Sequence, residues 1–308
     1  MELLKVLSAQ AAISIENARL YQSLEEKEQQ RTAQLADSNS QLALAYEEIT
    51  VLNSRLEKEN VRLSAELNVA RQLQQMVLPK SSEIEAIEEL EIAVFMEPGD
   101  EVGGDYYDVL SKDGKVYFSI GDVTGHGLES GVIMIMAQTA IRTLQESNQT
   151  DPVKFMDVLN RTLYANLERM DSYKNMTLAL LEYQDGILKI SGQYEEIIVV
   201  RTDSSVELID TISLGFPIGL DVEIADFVAQ TQVLLNPGDV VVLYTDGITE
   251  AFDINRKLYG LEKLCEVISR NHHLGVEEIR QAVIEDVRRH IGEQKVFDDI
   301  ALVVLKQK

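Results

Sequence analysis

The sequence of 308 residues is poor in the residue types that mark secreted, membrane-spanning and zinc-binding proteins. It contains a single cysteine, Cys265, which excludes an internal disulfide framework and favours a reducing compartment. One cysteine and four histidines also disfavour a zinc site. No apolar run is longer than the six residues of Val132–Ala137, which is too short to cross a bilayer, and the first residues lack the basic start and apolar run of a signal peptide. We therefore expect a soluble, cytoplasmic protein that does not bind a membrane.

Basic residues are also scarce. The chain has 28 Lys and Arg against 52 Asp and Glu, a net charge of −24, and most of the excess acid follows residue 80. Such a charge repels phosphate backbones and anionic lipid surfaces, so we expect no nucleic-acid partner. Hydrophobic residues make up 45% of the chain, which is ample for a core.

Proline and glycine are both missing between Leu3 and Leu78, which predicts one continuous helix. Along it, apolar residues recur every seven positions: Leu35, Leu42, Ile49, Leu56, Leu63, Ala70 and Val77. A strict seven-residue repeat is typical of a left-handed coiled coil, and we expect a parallel homodimer. The alternative is a single long helix that packs on its own domain.

Pro79 ends this helix and divides the chain into two predicted domains. Residues 1–80 form the long helix or coiled coil, and residues 81–308 form the second domain. The start of the helix, residues 8–21, resembles the last helix of a GAF sensor domain. That resemblance implies a truncated sensor protein, or a signal received from another protein.

The pattern after residue 81 predicts an α+β domain of antiparallel sheet. Short strands follow one another through turns such as Lys112-Asp113-Gly114 and Gln184-Asp185-Gly186, which favours hairpins over βαβ units. We predict strands at Glu91–Met96, Asp105–Leu110, Val116–Ile120, Thr177–Tyr183, Ile187–Ser191, Glu196–Arg201, Phe227–Leu234, Val240–Tyr244 and Ile300–Leu305. We predict helices at Glu129–Glu146, Pro152–Arg169, Leu261–Arg270 and Val276–Ile291.

Four short motifs in this domain place an aspartate beside a glycine or at the end of a strand. In Gly121-Asp122-Val123-Thr124-Gly125-His126-Gly127, Asp122 continues the alternation of a strand whose apolar side chains face inward. The stretch around Asp246 and Gly247 repeats this arrangement after a second strand. The other two motifs are Gly103-Gly104-Asp105-Tyr106-Tyr107-Asp108 and Phe297-Asp298-Asp299-Ile300.

Several inward-pointing carboxylates are costly to bury unless they bind a cation. Hard divalent ions such as Mg²⁺ and Mn²⁺ prefer oxygen ligands, and aspartates at several strand ends can form a two-metal centre that holds a phosphoryl group. One Asp-Gly turn is usually only a turn. Four such aspartate-containing motifs in one domain predict a metal centre.

These motifs, in this order and spacing, resemble the PPM-type (protein phosphatase 2C-like) Ser/Thr phosphatases, in particular their bacterial SpoIIE/RsbU branch. The resemblance runs from about Glu66 to Leu305. It also includes Gln75-Met76-Val77-Leu78-Pro79, Asn175-Met176-Thr177, Phe216-Pro217-Ile218-Gly219-Leu220 and Leu243-Tyr244-Thr245-Asp246-Gly247-Ile248-Thr249-Glu250-Ala251.

The resemblance implies a four-layer α-β-β-α sandwich with a binuclear Mn²⁺ or Mg²⁺ site. The implied ligands are Asp105, Asp122, the backbone carbonyl of Val123, Asp246 and Asp298, with Asp298 preferred over Asp299. The implied reaction is direct attack of a metal-activated water on phosphoserine or phosphothreonine. The implied substrates are phosphorylated STAS-domain regulators, and the implied control is exerted by the helix before the domain, through dimerisation.

The resemblance does not settle the role of one residue and the effect of one segment. His126 is either a general acid for the leaving oxygen or a turn residue that shapes the start of the next helix. Ser191-Gly192-Gln193-Tyr194-Glu195-Glu196 departs from the Gly-His-x-Pro of many members, which puts substrate selection in doubt.

Two other functions compete with the phosphatase. A dinucleotide-binding protein is suggested by Gly125-x-Gly127, but its third glycine is replaced by Ser130 and Asp122 would repel a pyrophosphate. The second alternative is a catalytically weak signalling scaffold that only binds phosphoproteins.

Overall fold

The computed structural model describes residues 1–97, 99, 102–296 and 298–308. Helix α1 runs from Glu2 to Val77, as the lack of proline and glycine predicts. The chain divides into two compact units, Met1–Ala65 and Glu66–Lys308. The first unit is helix throughout, and the last turns of α1 belong to the second. In the described part of the chain, no helix has the length and apolar character that a bilayer span requires.

The described residues of the second unit form six further helices, one short 3₁₀ helix (Ala225–Phe227) and ten strands. The helices are α2 (Ser81–Glu85), α3 (Leu128–Glu146), α4 (Pro152–Arg169), α5 (Asp246–Thr249), α6 (Leu261–Asn271) and α7 (Val276–Ile291). The strands are β1 (Leu90–Glu97), β2 (Tyr106–Lys112), β3 (Lys115–Val123), β4 (Met176–Gln184), β5 (Ile187–Ser191), β6 (Ile197–Val200), β7 (Val206–Ile209), β8 (Gln230–Leu234), β9 (Val240–Tyr244) and β10 (Ile300–Gln307).

The strands form two five-stranded sheets, ordered β1-β10-β9-β6-β7 and β2-β3-β4-β5-β8. Every strand pair in the described residues is antiparallel. The Lys112-to-Lys115 hairpin joins β2 to β3, and its left-handed Asp113 and Gly114 give the turn that the sequence predicts. An antiparallel sheet also removes the dinucleotide-binding alternative, which needs parallel strands.

Three apolar clusters separate four layers. The first lies between the sheets and includes Phe118, Leu181 and Val303. The second joins the β1-containing sheet to α6 and α7, and the third joins the β2-containing sheet to α3 and α4. The arrangement is the predicted four-layer α-β-β-α sandwich.

The predicted strands and long helices are all found, with ends shifted by up to three residues. The sequence pattern missed β7, α2 and α5. Strand β7 has only four residues, most of them exposed, because it is the edge of its sheet. Helices α2 and α5 have five and four residues, too few for a 3.6-residue repeat to be visible.

A partly buried ion pair fixes α3 against β2. Arg142 of α3 donates two hydrogen bonds to Asp108 of β2, from Nε to Oδ2 and from Nη2 to Oδ1, both 2.6 Å long. Asp108 is only 4% exposed. Such a bidentate pair is strongly directional, so it sets the position of the helix that begins directly after the Gly121–Gly127 stretch.

Arg142→Ala is expected to lower the free energy of unfolding by about 3 kcal/mol, because it leaves the Asp108 carboxylate buried without its cation. Urea titration at neutral pH measures the effect. The matched control is Arg161→Ala on α4, which removes an exposed pair with Asp157 and should cost less than about 1 kcal/mol. Equal losses in the two variants would contradict the structural role assigned to the Arg142–Asp108 pair.

Candidate metal centre

Three of the predicted aspartates converge at one end of the sandwich. Asp105, Asp122 and Asp246 each place one carboxylate oxygen within 4.8 Å of an oxygen of the other two. Asp105 directly precedes β2, Asp122 is the penultimate residue of β3, and Asp246 is the first residue of α5. The first two belong to one sheet, and Asp246 follows a strand of the other. The centre therefore lies where the two sheets meet.

Local geometry explains how two of these carboxylates are presented. In β3, Val116, Phe118 and Ile120 are buried in the inter-sheet core, and Asp122 continues the same face just where the core ends. After β9, the Thr245 side chain accepts a hydrogen bond from the Ala301 amide, which ties the chain to β10 as α5 begins. Asp246 is thereby held at the strand end, as the sequence predicts.

The Gly103-Gly104 loop lies against the end of β3 without room for side chains. A Cβ atom on Gly104 would lie 2.3 Å from the carbonyl oxygen of Val123 and 2.8 Å from Oδ1 of Asp122. The Val123 amide donates a 3.3 Å hydrogen bond to the Gly104 carbonyl. Glycine at 104 thus allows Asp105 to approach Asp122 and the Val123 carbonyl, the predicted backbone ligand.

The electrostatics of the centre are those of crowded, like-charged acids. The pKa of Asp105 is raised well above its ordinary value, first by burial and then by neighbouring carboxylates. Burial raises the pKa of Asp122 to about 8, with Asp246 and Asp298 adding to the effect. The pKa of Asp246 is raised to about 6, again by burial and by Asp298. The protein holds these groups together at a cost in free energy.

These residues fit a hard divalent cation. Oδ2 of Asp105 is buried and has no hydrogen-bond partner among the described residues, although a buried carboxylate oxygen normally has one. A cation would take that oxygen as a ligand and reverse the repulsion among the three acids. The donor set is all oxygen, which suits Mg²⁺ or Mn²⁺ and not zinc.

The structure places Asp298 and Asp299 differently. Asp298 lies outside the group of three but close enough for its charge to raise the pKa of Asp122 and Asp246. Asp299 is 3% exposed, and its Oδ1 accepts a 2.7 Å hydrogen bond from the Gly99 amide. Its charge raises the pKa of Asp105. Phe297, the first residue of this motif, lies outside the described residues.

His126 lies in the loop between β3 and α3, and its side chain is exposed. It is flanked by Gly125 and Gly127, whose φ angles of 72° and 102° lie in the left-handed region. This sharp turn permits both predicted roles for His126, a general acid at the metal centre and a turn residue at the start of α3.

One residue at the centre escaped the sequence analysis. Gln74, near the end of α1, is 3% exposed. Its Nε2 donates to the carbonyl oxygens of Gly103 and Asp105, at 3.1 and 3.4 Å. One turn earlier, Arg71 donates to the Gly99 carbonyl at 3.2 Å. The last turns of α1 therefore hold the main chain of the loop that carries Asp105. A glutamine on a polar helix gives no sequence signal of this role.

The fold and this acidic centre define a PP2C-type serine/threonine phosphatase, a hydrolase of phosphoproteins. The family described as Stage II sporulation protein E (SpoIIE) matches residues 112–308, more than half of the chain. The chain belongs to the SpoIIE family.

Two characterised relatives are similar over most of the chain. The phosphoserine phosphatase RsbU of Bacillus subtilis (strain 168) is 24% identical over 271 residues, which cover 86% of this chain and 76% of RsbU. Protein IcfG of Synechocystis sp. (strain ATCC 27184 / PCC 6803 / Kazusa) is 24% identical over 269 residues, which cover 78% of this chain. The chain spans about two fifths of the length of IcfG, 41%.

Solved structures agree with the fold. The SiaA-PP2C domain of Pseudomonas aeruginosa superposes with a TM-score of 0.70 at 20% identity, covering 81% of this chain and 98% of that domain. The catalytic domain of the phosphatase PstP, solved in complex with two manganese ions, gives a TM-score of 0.52 at 16% identity, covering 70% of this chain and 97% of that domain.

Asp122→Asn is expected to stabilise the metal-free protein, because it removes one of the repelling charges. The folded pKa of Asp122 is raised, so this acid costs the folded state increasing stability as the pH rises from about 4 to about 8. The gain from asparagine should therefore be small at pH 5 and about 1–3 kcal/mol at pH 8. Thermal unfolding in EDTA measures it.

The same variant should lose the stabilisation that Mn²⁺ gives the wild type, because the neutral amide of asparagine replaces a negatively charged carboxylate ligand. A metal-free variant less stable than the wild type at pH 8 would contradict the assignment of Asp122 to a repulsive, cation-binding cluster.

Proposed function

We propose that residues 81–308 hydrolyse phosphoserine and phosphothreonine on a regulatory protein in a reaction that requires two Mn²⁺ or Mg²⁺ ions. The convergence of Asp105, Asp122 and Asp246 carries this proposal, because phosphoester hydrolysis in this fold class needs a carboxylate-bound divalent centre. We assign Asp298 and the backbone carbonyl of Val123 as the remaining ligands. The two manganese ions in PstP support the count of two.

Each residue has a role that follows from its place. When bound, the ions supply an activated water and neutralise charge on the phosphoryl group. Asp105, Asp122 and Asp246 would hold the ions, and the glycines at 103 and 104 allow the loop that carries Asp105 to pack against Asp299 and the end of β3. His126, on the exposed turn after β3, is proposed to deliver the proton to the leaving serine oxygen.

The proposed substrate is a phosphorylated STAS-domain regulator, an anti-sigma factor antagonist. Membership of the SpoIIE family and similarity to RsbU, a phosphoserine phosphatase, support it. We place the enzyme in the cytoplasm, in line with its single, unpaired cysteine.

Residues 1–80 are proposed to control the enzyme as a parallel homodimeric coiled coil, with an upstream sensor as the source of the signal. Two observations support this. The apolar seam is open to solvent in the single chain, with Leu42 62%, Ile49 54% and Leu56 60% exposed, and a second helix would bury it. At the other end of the helix, Gln74 holds the Gly103 and Asp105 carbonyls, so a shift of the helix would change the position of a metal ligand.

The alternative function, a scaffold that binds phosphoproteins with weak catalysis, has no structural observation in its favour. The carboxylate cluster costs stability and has no use in a protein that only binds.

Hydrolysis of p-nitrophenyl phosphate is expected to require Mn²⁺ or Mg²⁺ and to fall at least 100-fold in Asp246→Asn, since one anionic ligand is lost.

His126→Gln should retain activity on p-nitrophenyl phosphate, whose leaving group needs no proton, and lose about 10–100-fold in activity on a phosphoserine protein. Glu223→Gln, an exposed acid in a separate loop, is the control. Wild type without metal-dependent turnover on any substrate, including a panel of phosphorylated STAS proteins, would leave the scaffold as the function.

The proposed control of the enzyme by the N-terminal helix is tested with two variants. Ile49→Lys/Leu56→Lys should halve the mass measured by sedimentation, because it places charge in the seam. Gln74→Met should leave the mass unchanged and weaken Mn²⁺ binding about 5–10-fold, because the loop carrying Asp105 loses its donor. Gln75→Met, at an exposed neighbouring position, is the matched control. A wild type that sediments as a monomer would contradict the proposed dimer. Identical Mn²⁺ affinities of the Gln74→Met and Gln75→Met variants would contradict the proposed link between the helix and the metal centre.

A further inference from the structure

Tyr194 carries a buried hydroxyl that the proposed mechanism does not use. It lies in the segment that departs from the usual family motif, and its ring packs against the inter-sheet core. Its hydroxyl oxygen is buried, and no group in the described part of the chain forms a hydrogen bond with it. A buried hydroxyl without a partner costs about 1–3 kcal/mol, so a folded protein rarely keeps one without a use.

The charges that act most strongly on the Tyr194 hydroxyl are those of Asp105, Asp122 and Asp246, in that order. Burial, and then these charges, raise the pKa of this hydroxyl well above its ordinary value, so it keeps its proton. None of the three accepts its proton in a hydrogen bond. The main chain gives the position of this group: the Leu178 amide donates a 2.8 Å hydrogen bond to the carbonyl of Gln193, the residue before Tyr194, and Leu178 pairs with Gly121 of β3, directly before Asp122.

The main chain of Tyr194 is fixed by a second buried residue. Thr211 is fully buried, and its Oγ1 accepts a 2.8 Å hydrogen bond from the Tyr194 amide. The same oxygen donates to the Tyr194 carbonyl. One hydroxyl therefore holds both polar groups of the Tyr194 main chain, which limits the positions that the phenol can reach.

We infer that Tyr194 is a further residue of the active site, which donates a hydrogen bond to an oxygen held among Asp105, Asp122 and Asp246. That oxygen belongs either to a water of the cation shell or to the phosphoryl group of the substrate. The inference rests on the proposed function, because both oxygens are brought by a cation or a phosphoester. It assigns this chain a neutral donor beside an otherwise acidic centre, where a cationic side chain would compete with the metal.

The test is Tyr194→Phe, which keeps the ring and removes only the hydroxyl. Four quantities are measured: the melting temperature in EDTA, the dissociation constant of Mn²⁺ by calorimetry, the inhibition constant of inorganic phosphate, and kcat and KM for p-nitrophenyl phosphate. We expect an unchanged or higher melting temperature, because an unpartnered polar group is removed. We expect kcat to fall about 5–20-fold with little change in KM.

The two possible acceptors are distinguished by binding. A water in the cation shell predicts that Mn²⁺ binds about 5-fold more weakly, with phosphate inhibition retained. A phosphoryl oxygen predicts the reverse, unchanged Mn²⁺ binding and about 5-fold weaker phosphate inhibition. Either result supports a donor role.

Two comparisons separate this role from a structural one. Tyr183→Phe removes the hydroxyl of another buried tyrosine of the same core, which donates to Gln307, and should lower stability without changing either affinity. Thr211→Val should reproduce part of the Tyr194→Phe effect, and Thr211→Ser, which keeps the hydroxyl, should restore it.

Mn²⁺ affinity, phosphate inhibition and kcat all within twofold of the active wild type would overturn the inference while leaving the proposed function intact. A wild type with neither Mn²⁺ binding nor turnover would overturn the proposed function itself.

Discussion

Repulsion among buried and partly buried carboxylates where the two sheets meet is the constraint on which this domain depends. Asp105, Asp122 and Asp246 come from three separate segments, and no local preference of the chain brings them together. Packing of the inter-sheet core brings them together despite their electrostatic repulsion. The surrounding features, a loop with two glycines and a threonine that ties the end of β9 to β10, keep the acids in place despite the cost. A fold that bears such a cost at one point is built for the ligand that offsets it.

The convergence of three aspartates could be predicted from the sequence to a large extent, because Asp122 and Asp246 lie at strand ends. The alternation in β3 showed that Asp122 faces inward, and the same argument applied to Asp246. Asp105 was found through its glycines, and the resemblance to a known family joined the motifs. The layers, the hairpins and the long helix followed from periodicity and from the spacing of turns.

What the sequence could not show depends on contacts between distant residues. Gln74 looks like any polar residue on a helix surface, and only the folded chain shows its amide against the carbonyls of residues 103 and 105. Tyr194 stood in a segment notable only for departing from the family pattern. Asp299 and Asp298 are adjacent, yet the fold gives one a buried hydrogen bond and leaves the other beside Asp246. Short elements such as β7 and α5 are formed by their neighbours and not by their own pattern.

The position of the acids at a boundary between sheets has a mechanical consequence. Asp122 lies at the end of a strand of one sheet, and Asp246 follows a strand of the other. A cation bound by both would therefore cross-link the two sheets at this end. Without a cation, the repulsion among these side chains lowers the stability of that end. Binding of the proposed ions would therefore both complete the catalytic centre and stabilise the end of the sandwich at which it lies. The metal supply would then affect the order of this end of the domain as well as the rate of the enzyme.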